Sequence, residues 1–295
     1  MQGRFPGAMV SALILGVLTA APTQGVAVTS TSEDPYLWLE EIESERALQW
    51  VRARNERSLA QLTRDPRYER FHGDALAILE DESRIPLGSL RDGWVYNFWQ
   101  DEKNVRGVWR RSRLEDYLRS EPQWQTLLDV DALAASENRN WVFKGASCLP
   151  PAGRRCMIQL SDGGKDASVF REFDVESRAF VPGGFELPEA KSRVSWKDEN
   201  TLLVATNWGP GTLTTSGYPF VVKLWSRGNP LSEAREIFRG QPEDVAASAF
   251  VLQDETGPRL WGVEESDTFF TTTWWVIGPD GRLERMTLPP KASPR

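Results

Sequence analysis

The sequence contains one histidine, His72, and no G-x-S-x-G in its 295 residues. A serine hydrolase on an α/β sheet needs that strand-to-helix elbow, with an acid and a His base beside it. Gly145-Ala146-Ser147 lacks the second Gly, and Thr214-Thr215-Ser216-Gly217 lacks the first. No position is therefore expected to be catalytic. His72 lies in the polar-rimmed stretch Tyr68-Glu69-Arg70-Phe71-His72-Gly73. It reads as a surface or helix-end residue rather than a general base, since there is no elbow for it to serve. One His and two Cys fall short of a four-ligand zinc site, and neither metal nor cofactor is expected. Gly163-Gly164 and Gly183-Gly184 sit between strand-like segments, so they read as turns and not as phosphate loops. The adjacent acids Glu40-Glu41 and Glu264-Glu265 read as solvent charges, not as a glycosidase pair. A basic excess is also missing. The formal net charge is -7, which argues against nucleic acid or anionic lipid as a partner.

The longest apolar run, Ala8 to Ala21, is broken by Ser11, Gly16 and Thr19. It is shorter than the about 20 residues that span a bilayer. Arg4 precedes it, and Gly25 and Ala27 follow at signal-peptidase spacing. Residues 1–27 are read as a secretory signal, with an uncleaved anchor as the alternative. Export to the periplasm or outside the cell follows, with no membrane contact after cleavage. Cysteine is scarce. Cys148 and Cys156 flank Pro150, Pro151 and Gly153, which signal a turn. Strands entering and leaving that turn would face the two thiols across a hairpin. An exported protein meets oxidising surroundings, so a disulfide is expected there, against the alternative of two free buried thiols.

Tryptophan, by contrast, is abundant at 13 residues, which suits pleated sheet surfaces. Hydrophobic residues at 40 % and charged ones at 26 % give a globular balance. Residues 28–86 read as a helical segment. Asp34 is an expected N-cap with Pro35 in the first turn, and Trp38, Leu39, Ile42, Trp50 and Leu59 form an apolar stripe. A second helix is expected from residue 66 or 67 to about Glu82, after the Asp65-Pro66 break. From residue 87 to 295 the period changes to two, with turns such as Ser161-Asp162-Gly163-Gly164, Arg227-Gly228-Asn229-Pro230 and Pro279-Asp280-Gly281. Strand groups recur at about 45 to 60 residues, as propeller blades do. The fold expected is mainly β: a partial, open β-propeller of about four blades behind a helical segment and a signal peptide.

Several stretches carry a family resemblance. Asp34-Pro35-Tyr36-Leu37-Trp38-Leu39-Glu40, then Trp50-Val51 and Asn55, resembles the opening of prolyl oligopeptidases. Leu160 to Asp166, Arg171-Glu172-Phe173-Asp174, Gly184 to Lys191 and Ser216-Gly217-Tyr218-Pro219 resemble propeller sequence of their bacterial members. The resemblance implies a serine peptidase that cleaves short peptides after proline without a cofactor. It implies helices that pack on a C-terminal α/β-hydrolase domain, and a seven-bladed propeller that caps the active site. Neither that domain nor the triad is present, so the chain is expected to be inactive alone.

A self-standing secreted binding module and an unrelated secreted β-rich hydrolase, such as a glycosidase, remain as alternatives. The resemblance also implies two exposed surfaces. The helical stripe should be under-buried, and the terminal blade should leave some of Trp261, Phe269, Phe270, Trp274 and Trp275 without packing partners. Self-association in solution is the expected consequence.

Overall fold

The computed structural model describes residues 34–41, 44–254, 257–278 and 280–288, without the side chains of 253–259. The expected signal segment and Ile42 lie outside the described residues. Two compact units divide the chain at Glu69/Arg70.

The first unit holds a 3-10 turn at Leu37–Glu40 and helix α1, Glu45–Leu62. Asp34 does not cap the long helix. Its carboxylate accepts the Tyr36 N–H in a local turn, which competes with helix initiation. Ser44 is the cap instead: its hydroxyl accepts the Ala47 N–H, three residues on. The apolar stripe is only partly covered. Trp38, Leu39 and Trp50 are half-buried, and Leu59 is 57 % exposed.

Helix α2 runs Tyr68–Glu80, and strands begin at Ser89. Four antiparallel sheets then follow in chain order. The first contains β1 (Ser89–Arg91), β2 (Trp94–Trp99), β3 (Val108–Arg113) and β4 (Gln125–Asp129). A short helix α3, Leu114–Tyr117, follows β3. Helix α4, Val130–Glu137, leads to the second sheet. That sheet contains β5 (Trp141–Cys148), β6 (Arg155–Asp162), β7 (Ser168–Asp174) and β8 (Ala179–Phe180), and β9 (Glu186–Ala190) also pairs with β7. The third is β10 (Arg193–Asp198), β11 (Thr201–Ala205), β12 (Val221–Ser226) and β13 (Arg235–Arg239). The fourth is β14 (Ala246–Asp254), β15 (Gly257–Thr268), β16 (Thr271–Ile277) and β17 (Leu283–Arg285).

Alternation sends each strand's two faces to two neighbours. Cys156, Ile158, Leu160 and Phe173 join Tyr96 and Trp109 in a core between the first and second sheets. Met157 and Phe170, of opposite parity on the same strands, join Trp196, Leu202 and Trp225 between the second and third. Val222, Phe238, Val263 and Trp275 fill the third core, between sheets three and four. Among the described residues no such core joins the first sheet to the fourth. The first strand of the third blade, β10, touches the first strands on either side of it, β5 and β14. The Trp196 indole N–H donates to the Ser147 carbonyl, and the Ser195 hydroxyl to the Ala249 carbonyl, each at 2.8 Å. Sheets stacked face to face in chain order, with first strands converging, are the blades of an open β-propeller.

In the terminal blade the expected loss of packing falls on some of the five aromatics and not on others. Trp275 packs on Phe238 of the third blade, and Trp274 on Phe250 within its own sheet. Phe269 and Phe270, at the β15–β16 hairpin tip, are 83 % and 90 % exposed.

Asp174, at the end of β7, sets one acid-sensitive point. Its side chain is 7 % exposed. It accepts the Glu176 and Ser177 N–H groups at 2.9 Å and the Arg154 guanidinium at 3.0 Å. Burial alone would raise its pKa, but the Ser177 and Arg154 bonds and the Arg155 charge outweigh that and lower it. A depressed carboxyl contributes stability above its unfolded pKa, about 3.9, and loses it as pH falls through the folded value. Asp174→Asn should therefore melt lower than wild type at neutral pH. Below about pH 4 the difference should shrink. Thermal melts of both proteins across pH 2 to 7 check this; a constant difference would refute it.

Candidate functional site

Structure places the sequence-derived candidates apart. His72 is exposed on α2. Glu264 and Glu265 point to opposite faces of β15. Glu264 accepts the Ser248 hydroxyl and Glu265 the Trp275 indole N–H, so neither is merely a solvent charge and they do not converge.

Cys148 and Cys156 lie opposite each other on β5 and β6, and their sulfurs are bonded. The Leu149 N–H donates to the Arg155 carbonyl, which makes the Cys pair the adjacent non-hydrogen-bonded site. Opposite Cα atoms are closest at such sites. Here they are 3.9 Å apart, below the usual range for a disulfide. The bond closes the loop that carries Gly153, at φ +66.

That loop supports a pocket. The two-residue turn Asp92-Gly93, both at positive φ, folds β1 back on β2. Arg91 and Ser89 thereby lie on the same face as Trp94 and Tyr96, toward the second blade. A cavity of about 190 Å3 opens there, lined by Arg91, Tyr96, Phe98, Trp109, Phe143 and Ala146. Phe98 stacks on Phe143 with ring centroids 4.7 Å apart, and Tyr96 on Trp109 at 5.8 Å. The Arg91 guanidinium carbon lies 5.2 Å from the Tyr96 ring centroid. A Cβ added to Gly153 would meet the Arg91 Cδ at once, so the arginine stem rests on the disulfide loop. Burial lowers the Arg91 pKa, with Tyr96 opposing that shift. Among the described residues no carboxylate pairs with this guanidinium.

Four other arginines, Arg106, Arg110, Arg139 and Arg227, do donate to protein acceptors. Arg110 lies between Trp99 and Trp124, 4.5 and 4.3 Å from their ring centroids, and donates to Asn97 at 2.8 Å. Burial pushes its pKa down to about 10, Asp101 opposing, so it stays charged at neutral pH. Around a larger cavity of about 510 Å3, Arg106 donates to Asn140 and Arg139 to Asp162. Between the second and third blades, the Glu172 carboxylate is fully buried and accepts both guanidinium arms of Arg227, at 2.8 and 3.0 Å.

Glu172 and Arg91 were both absent from the sequence-derived candidates. Arg91 had a usable signal, the Asp92-Gly93 hairpin turn beside it. Glu172 had none, because nothing in Arg171-Glu172-Phe173-Asp174 says which of the adjacent charges meets a neighbouring sheet.

The comparisons match this architecture. The family model described as "Prolyl oligopeptidase, N-terminal beta-propeller domain" matches residues 23–274. An uncharacterized peptidase of Sinorhizobium fredii is 45 % identical over 90 % of this chain, and one of Rickettsia prowazekii is 29 % identical over 87 %. The chain spans 37 % of the length of each. Among solved structures, a post-proline cleaving enzyme from Rickettsia typhi superposes with a TM-score of 0.80. It is 29 % identical, over 87 % of this chain and 39 % of that one. With four propeller blades in sequential order and a family match over most of its length, the chain belongs to the prolyl oligopeptidase family and carries part of its N-terminal β-propeller.

Proposed function

We propose that this chain is the helical and propeller portion of an exported serine peptidase that cleaves short proline-containing peptides, the propeller governing which peptides reach the catalytic serine. The observation that carries the reading is the 0.80 TM-score to a post-proline cleaving enzyme of which this chain spans only 39 %. Topology supports it. Four antiparallel strands return the chain to the end of the blade where it began, so each complete blade finishes beside the β2–β3 and β6–β7 loops. A hydrolase domain continuing from a later blade would sit at that end and leave the other end for peptide access.

Catalysis would reside in that domain, because no elbow serine occurs here and His72 has none to activate. The purified chain is expected to hydrolyse no proline-containing chromogenic peptide. Turnover that a serine-directed inhibitor abolishes would overturn this. A self-standing binding module would also be inactive, and fusion to the C-terminal domain of the Sinorhizobium relative separates the two: restored cleavage after proline supports the peptidase reading.

A further inference from the structure

We propose that the cavity between β1 and β5 binds the C-terminal carboxylate of a short peptide, with Arg91 as the anion partner and the aromatic walls holding the last side chain. The proposal rests on the peptidase reading for the peptide nature of the ligand and for which end of the blade is open to it.

A half-buried guanidinium is expected to be paired, since desolvating a charge without a partner is costly. Arg106, Arg110, Arg139 and Arg227 all donate to protein acceptors. Arg91 has an aromatic neighbour and no acid among the described residues. Its five donors form a planar fork suited to a carboxylate. A ligand carboxylate would supply the missing charge.

Size and lining define the rest of the ligand. About 190 Å3 is below the usual range for a small-molecule site, so it holds one residue and not a long segment. Among the lining residues, the stacked rings of Phe98, Phe143 and Trp109 offer flat faces and no charge. A compact apolar side chain fits, and the rigid ring of proline loses least entropy on binding. Location agrees with this role. Arg91 ends β1 beside the Gly153 loop, at the blade end away from the β2–β3 loop. It therefore faces the end left open for peptides under the proposed topology. The disulfide fixes Gly153, and Gly153 positions the Arg91 stem.

Titration of the full chain with N-acetyl-alanyl-proline, followed by tryptophan fluorescence, tests the proposal, because Trp109 lines the cavity. The acid should bind and its C-terminal amide should bind at least about tenfold more weakly, as loss of a charged hydrogen-bond pair implies. Arg91→Gln should lose a similar factor for the acid and nothing for the amide. Arg91→Lys should recover part of it. Ala146→Leu, which fills the cavity without touching the charge, should lose binding of both. Far-UV spectra and melting temperatures identify variants that fail to fold, and the acid–amide comparison on wild type needs no variant. Equal binding of acid and amide, or an unchanged Arg91→Gln, overturns the anion role. Sodium acetate binding as tightly as the peptide acid overturns the peptide assignment, while leaving the separate activity test unaffected.

Discussion

Replacing Glu172 by Ala should destabilise the propeller by about 3 to 5 kcal/mol, the range for breaking a buried ion pair by removing one partner. Glu172 lies on β7 with its side chain fully buried. One oxygen, Oε2, accepts both the Phe185 N–H and an Arg227 nitrogen at 2.8 Å, and Oε1 accepts the second arm of Arg227 at 3.0 Å. Arg155 adds positive charge 3.7 Å away. Removing the carboxylate leaves a half-buried guanidinium and an unmatched backbone N–H in one step. Arg227→Met should cost a comparable amount, since it leaves Glu172 charged and buried. The double variant Glu172→Met/Arg227→Met should be much less damaged than the two single losses added together, because no orphaned charge remains. Denaturant unfolding of the four proteins measures this. Strict additivity would mean that the two groups are not coupled.

This clamp shows where sequence legibility ended. The fourfold rhythm of strands was readable because turn residues such as Asp162-Gly163-Gly164 and Asn229-Pro230 punctuate it chemically. Blade count follows from that rhythm. Which face of a strand meets which neighbour does not. Glu172 and Arg171 are adjacent charges in one strand, yet Arg171 pairs with Glu137 on α4 toward the first blade, and Glu172 with Arg227 toward the third. Only the stacking of sheets distinguishes them. Helix α4 is hard to see in the sequence, because Leu127-Leu128-Asp129-Val130 reads as a strand running into a loop. Its signals are local and were present: Asp129 caps the Ala132 N–H, and Asn138 adopts the left-handed conformation that ends the helix. The N-terminal helix begins ten residues after the cap that Asp34-Pro35 predicts, for a related reason. Asp34-Pro35 has capping chemistry, but an Asx turn uses the same carboxylate.

Phe173→Ala should cost about 3 to 5 kcal/mol, as large aromatic truncations in cores do. Phe173 is 1 % exposed on β7 and belongs to the first core. Its ring meets Trp109 of the first blade edge-on at 5.8 Å and Phe180 of β8 at 5.4 Å. The backbones on both sides of the gap are hydrogen-bonded strands, which cannot collapse inward without giving up ladder bonds. The cavity therefore persists, and the cost should lie toward the upper end of that range. For a unit of 226 residues, from Arg70 to Arg295, this corresponds to a melting temperature lower by about 10 °C or more. Phe173→Leu keeps most of the volume and should cost about 1.5 kcal/mol or less. Phe170, three residues earlier and of opposite parity, belongs to the second core. Phe170→Ala should also destabilise, but through the contact with the third blade. Trp109 reports which interface has changed: with fluorotryptophan labelling, its resolved fluorine NMR resonance should shift in the Phe173 variant and stay unchanged in the Phe170 variant, whose second core holds Trp196 and Trp225 instead. A shift of equal size in both would mean that the two faces of β7 do not serve separate cores.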